Sequence, residues 1–186
     1  MEQTEDKKII TLFREKKTRN ASLELLISRY QKRLYWHIRK IVISHDDSDD
    51  VLQNTFIKIW QGLENFREDS NLFTWLYRIA TNEALTFLRQ KQRRQTTSIH
   101  PIEYQLGAEL ESDEYFSGDE IQLKLQQAIL TLPEKQRLVF NMRYYDELPY
   151  EEMSKILDTS VGALKASYHI AAKKIEGLLT ETTAEK

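Results

Sequence analysis

"LPYEEMSKILDTSVGALKASYHIAAKKI", residues 148–175, divides into a short helix, a tight turn and a longer helix. Pro149 opens the short helix, since proline is tolerated where the first helical turn has no use for an N–H. "DTS" makes the connection, and Ser160 can cap the helix that follows. There Val161, Leu164, Tyr168, Ala171, Ile175 and Leu178 alternate steps of three and four and form one buried stripe. This is helix-turn-helix geometry. The outward positions are Gly162, Ala163, Ala166, Ser167, His169, Ile170, Lys173 and Lys174. Cations are sparse in the first two turns, where base edges are normally reached, so on pattern alone a packing helix remains the alternative.

Towards the N-terminus, Ile121, Leu125, Ile129 and Leu132 give a further helix, which Pro133 interrupts before "EKQRLVFNMRYYDEL". Residues 95–123 carry no Lys or Arg but contain Glu103, Glu109, Glu111, Asp113, Glu114, Asp119 and Glu120 among Ser, Thr, Pro and Gly. That composition break reads as a flexible acidic linker. The expected fold is therefore all-α, with two small helical domains, residues 1–94 and 121–186, joined by a linker at 95–120; the C-terminal domain carries the helix-turn-helix. Five Gly and three Pro in 186 residues are too few for a hairpin-rich β architecture.

In the N-terminal half, Leu23, Ile27, Tyr30, Leu34, Ile38 and Ile41 recur at helical spacing, with Arg29, Lys32, Arg33, Arg39 and Lys40 giving a basic surface. "HDDSDD" follows, where Ser48 is the expected cap and Asp49 and Asp50 complement the helix dipole. Leu52, Phe56, Ile59, Trp60 and Leu63 supply the apolar side of that helix. A last helix, from about Leu72 to Arg89, places Phe73, Leu76, Tyr77, Ala80, Ala84 and Phe87 on one side and Trp75, Arg78, Asn82, Thr86 and Arg89 on the other.

The second of those faces invites a partner. On periodicity alone Trp75 fits a second buried face equally well. Its neighbours favour nucleic acid: Phe66 and Asn71 precede it, Arg78 and Arg89 share its stripe, and Lys91, Arg93 and Arg94 follow. Aromatic rings stack on any base, cations track phosphates, and an amide such as Asn82 can bond an unpaired base edge.

Other chemistries lack their residues. There is no phosphate-binding glycine loop, no H-E-x-x-H and no G-x-S-x-G; His37, His45, His100 and His169 are scattered without ligand spacing. "DDSDD" lacks the glycine turn and terminal Glu of a calcium loop. Neither catalysis nor a cofactor or metal is expected. Cysteine is absent, which fits a reducing compartment. No run approaches the ~20 apolar residues needed to span a bilayer, so the reading is a cytoplasmic protein without membrane insertion.

The order of these motifs resembles the extracytoplasmic-function (ECF) branch of the bacterial sigma-70 family, RNA polymerase initiation factors. "DDSDDVLQNTFIKIW" is similar to the family's D-x-x-D-L-x-Q-x-T-F-x-x-x-W pattern, residues 66–94 resemble its promoter-melting segment, and residues 132–175 its fourth region. The resemblance implies a non-catalytic factor with core RNA polymerase, duplex and melted promoter DNA, and an anti-sigma protein as partners. By the same resemblance Asp50, Gln53, Asn54 and Phe56 would grip the polymerase. Phe66, Asn71, Trp75 and Asn82 would open the −10 element and capture a flipped base, while Arg78, Arg89, Lys91, Arg93 and Arg94 steer the backbone. The last helix would lie at the −35 element through Gly162, Ala163, Lys165, Ala166, Ser167, His169, Lys173 and Lys174. "SVGALKASYHIAA" departs from the family's S-V-G-T-V-K-S-R-L-H-R-A-R, losing a Thr and several Arg, and Pro149 replaces the usual Ser before the Tyr-Glu-Glu helix. Two other readings stand beside this one: an autonomous helix-turn-helix regulator that needs no polymerase, and a helical scaffold that binds only proteins.

Overall fold

The structure is a computed structural model that describes residues 2–94 and 120–184. The expected linker, residues 95–120, lies outside the described residues except for Glu120, which already begins a helix. Every element found among the described residues is helical.

In the N-terminal half, α1 (Glu2–Arg14) leads through a 3-10 turn (Lys16–Thr18) into α2 (Arg19–Val42), followed by α3 (His45–Leu63) and α4 (Leu72–Arg94). The first helix was not read from the sequence. It is anchored by Ile9, Ile10 and Phe13, all buried at helical spacing, and by the Tyr30 hydroxyl, which donates to Asp6 Oδ1 at 2.6 Å. The core of this half is built from Leu26, Leu34 and Ile38 of α2, Ile59 of α3, and Leu76, Ala80 and Ala84 of α4, each fully or nearly fully buried.

One expectation about this half is corrected and another is met in part. The cap of α3 is Ser44, whose Oγ accepts the Asp47 N–H at 3.3 Å; Asp46 and Asp47 occupy the first turn, and Ser48 is a buried helical residue donating to the Ser44 carbonyl at 2.6 Å. The helix starts a turn early because Ile43, at φ 71°, reverses the chain directly after α2. The basic surface of α2 is present in part: Lys32 and Arg33 are exposed, while the other cations of the helix are engaged within the protein. Arg39 is buried, Arg29 pairs with Glu5 and Asp6 of α1, and Arg33 lies over the Phe73 ring at 4.6 Å.

In the C-terminal half, α5 (Glu120–Leu130) and α6 (Glu134–Tyr144) flank the Pro133 break, and α7 (Tyr150–Leu157) and α8 (Val161–Ala184) form the expected helix-turn-helix. Asp158 turns the chain in the left-handed region (φ 50°), and Ser160 Oγ accepts the Ala163 N–H at 3.3 Å, as the capping pattern requires. Pro149 takes the N-cap position of α7 without a side-chain bond. Ala128, Ile129, Leu132, Phe140, Ala171 and Ile175 make a small core of their own. A second set, Leu138, Val139, Met142, Leu148, Met153, Ile156 and Leu164, joins the core of the N-terminal half. The two halves are thus packed together, chiefly α7 on α4 and α6 on α2. Among the described residues no helix is long and apolar enough to cross a membrane.

Candidate nucleic-acid interface

The helical repeat of α4 sets out Asn71, Arg78, Asn82, Thr86 and Arg89 as an exposed row, as the sequence pattern requires. The aromatic members are placed differently. Phe66 is only 9% exposed and belongs to the core, and Trp75 is half-buried with its ring 5.1 Å from Phe66. Trp75 lies against α3, where a Cβ at Gly62 would come 3.0 Å from Cζ2. The two rings therefore form one hydrophobic edge beside the polar row rather than a displayed stacking platform; Trp75 has both of the environments that periodicity left open.

Asn71 has a structural task. Its Oδ1 accepts the Thr74 N–H at 2.7 Å and caps α4, while its Nδ2 points at Glu152 of α7 at 3.4 Å. The Thr74 hydroxyl lies between Asn71 Oδ1 and the Glu152 carboxylate. Burial pushes the Glu152 carboxyl up, but the Thr74 hydrogen bond and the Lys155 charge outweigh it and hold the group below the ordinary glutamate value. Arg78 donates to the Lys155 carbonyl, and Arg89 lies 3.4 Å from Glu134. Lys91 pairs with Asp47 at 2.8 Å, so it braces α4 against α3; Arg94 is exposed at the helix end, beside Arg93.

On α3, Asp50, Gln53 and Asn54 are exposed and Phe56 is half-buried. Their surface includes Ile57, 49% exposed, which the sequence reading assigned no role. Its signal was present in the pattern: an isoleucine one position off the apolar stripe of an amphipathic helix. On α8, Gly162, Ala163, Lys165, Ala166, His169, Lys173 and Lys174 are exposed and Ser167 is half-buried. Lys174 donates to the Thr131 carbonyl at 3.0 Å, and Lys165 Nζ lies 5.8 Å from the centre of the Tyr150 ring. The α8 face is thus a shallow, small-residue surface rimmed by cations, suited to close approach to a groove more than to dense base readout.

Between the halves, the Asp146 carboxylate is almost fully buried. It accepts from His37 Nδ1 at 2.8 Å and pairs with Lys40; His37 Nε2 is 2.9 Å from Thr81 Oγ1. Burial alone would raise the Asp146 carboxyl, but the His37 hydrogen bond and the His37 and Lys40 charges outweigh it and hold the group below the ordinary aspartate value. Neither His37 nor Asp146 was singled out as a site from the sequence, because their relation across 109 positions leaves no local trace.

The chain matches two family models, Sigma-70 region 2 at residues 26–94 and Sigma-70 region 4 at residues 122–175. It is 32% identical over 163 residues to the ECF RNA polymerase sigma-E factor of Escherichia coli (strain K12), covering 83% of this chain and 85% of that one. To the RNA polymerase sigma-H factor of Pseudomonas aeruginosa it is 30% identical over 174 residues, covering 85% and 86%. Two solved structures share the fold. One is CnrH in complex with the cytosolic domain of CnrY (TM-score 0.68, 20% identity, 96% of this chain and 97% of that one). The other is the sigma factor RpoE in complex with the anti-sigma factor NepR from Bartonella quintana (TM-score 0.67, 22% identity, 84% and 96%). With both sigma regions matched in order on either side of residues 95–121, and relatives of this similarity along most of its length, the chain belongs to the ECF branch of the sigma-70 family of RNA polymerase sigma factors.

Proposed function

We propose that this sigma factor binds core RNA polymerase through the exposed face of α3, opens promoter DNA along α4 and reads the upstream element with α8. The observation that carries the reading is the exposed row Asn71, Arg78, Asn82, Thr86 and Arg89, amides and guanidiniums in one line on a rigid helix. Guanidiniums hold phosphates and the Asn82 amide offers a donor and an acceptor to an unpaired base, so the row can offset the few kcal/mol that base extrusion costs. The hydrophobic edge of Phe66 and Trp75 backs this row and supplies the apolar side of a base pocket. No nucleotide hydrolysis is required of the factor itself, and none is assigned to it.

On α3, Asp50, Gln53, Asn54 and Phe56, with Ile57 added, form the polymerase contact. Two relatives by fold were solved with partners, an anti-sigma factor in one and the cytosolic domain of CnrY in the other, and a protein inhibitor of that kind is assigned here too. The site of action is the cytoplasm, where polymerase and promoter DNA reside. An autonomous regulator would leave the α3 face without a purpose.

Asn82→Ala is the cleanest test, because this residue is exposed and carries no packing role. The variant is expected to bind core polymerase like the parent but to lose most permanganate reactivity of unpaired promoter thymines. Normal opening would remove Asn82 from the −10 site.

A further inference from the structure

Ile170 is 53% exposed on α8, while Leu164, Ala171 and Ile175 of the same helix are buried. It therefore adds little to the core, and it faces away from it. The helical repeat sets it four residues beyond Ala166 and seven beyond Ala163, with Lys173 and Lys174 three and four residues further on. All four of those neighbours are exposed. Among the described outward residues of α8, Ile170 is the one large apolar side chain.

Gly162 marks the same face as a place of close approach. A Cβ there would meet nothing within 4 Å, and its φ is not positive, so neither packing nor backbone geometry within the chain calls for glycine. A helix nonetheless favours alanine over glycine at such a position. With Ala163 and Ala166, Gly162 keeps the first two turns low, which lets the helix axis come near whatever lies opposite.

In the major groove the base-pair edges present donors, acceptors and one apolar group, the C5 methyl of thymine. An isoleucine can pack on that methyl but can bond neither O6 nor N7 of guanine, and acceptors covered without a partner are costly. Lys165 and Lys173, exposed on the same helix, can hold the flanking phosphates, contacts that fix register without reading sequence.

We propose that Ile170 is a specificity-determining residue: it packs on the C5 methyl of a thymine in the upstream promoter element, so that α8 reads this base by apolar contact and disfavours guanine there. This rests on the assignment of α8 to that element.

The test starts with holoenzyme, reconstituted from the full chain and core polymerase, selecting from a mixed-sequence duplex library. The selected upstream motif should contain a thymine whose replacement by deoxyuridine, which removes the methyl and nothing else, weakens binding about fourfold. That step needs no change in the protein. Ile170→Ala should bind the thymine and uracil duplexes equally, and Ile170→Arg should select guanine at that position, because a guanidinium bonds O6 and N7 together. Thermal melts of both variants should match the parent, since the side chain is exposed. An upstream motif in which no thymine-to-uracil change weakens binding overturns the inference, as does Ile170→Ala that keeps the parent's discrimination. Both results would leave α8 as the reader of the element. A selection that yields no upstream motif at all sinks the assignment of α8, and the role of Ile170 with it.

Discussion

Ile57 keeps 49% of its surface exposed on α3 beside Asn54, although burying such a side chain is worth about 1.5–3 kcal/mol. An apolar residue left in water on a helix otherwise faced with polar residues fits a surface that a partner covers. Ile57→Asp is expected to weaken core polymerase binding about tenfold, roughly 1.4 kcal/mol, and to change folding stability by no more than about 0.5 kcal/mol; titration of labelled protein with polymerase and a thermal melt check both. Phe66→Ala should behave in the opposite way, costing about 3–5 kcal/mol of stability because its ring is core. The outward polar residues of α4 were legible in the sequence because helical spacing alone fixes which residues share a face. Burial of Phe66 and Trp75 was not, because it depends on Gly62 of another helix offering room for an indole, and glycine carries no label for what approaches it.

At the scale of elements, local chemistry fixed the ends that matter to the site. The Asn71 cap sets where α4 starts and hence which residues form its outward row. Asn71→Ala should lower stability by about 1 kcal/mol and Asn71→Ser should restore most of it, as read by thermal melting; promoter opening that Ser fails to restore would then belong to the amide. Most helices were visible from apolar periodicity and breaks at proline, and Ser160 was visible from its place before an apolar stripe. The start of α3 was misplaced because Ser44 and Ser48 each precede acidic residues, and the deciding feature is Ile43 at φ 71°, a conformation its side chain disfavours and no sequence rule anticipates. The α1 helix was overlooked because its three buried residues, Ile9, Ile10 and Phe13, are set among charges that read as solvated chain.

At the scale of the molecule, the composition change after Arg94 falls between two sets of helices, but composition says nothing about how they face each other. Their packing rests on contacts such as Asp146 with His37, for which no periodicity exists. Because one core runs through both halves, calorimetry of the free protein should give a single unfolding transition, and Asp146→Ala should broaden or divide it. The acid dependence follows from the depressed Asp146 carboxyl. Its contribution to the packing of the two halves is complete above the ordinary aspartate value, ~3.9, and is lost as pH falls through the lower value it has when folded. Thermal melts of the parent and of Asp146→Ala should therefore differ above about pH 4 and converge in stronger acid on this account. The buried Asp146 pair has one more consequence. A ligand that needs the halves apart meets only the open fraction, and its apparent dissociation constant rises as the reciprocal of that fraction; about 1.4 kcal/mol of closure costs it tenfold. For any partner of that kind, a single carboxylate on the loop after α6 thereby sets a concentration threshold, below which the chain stays closed and above which the partner recruits it.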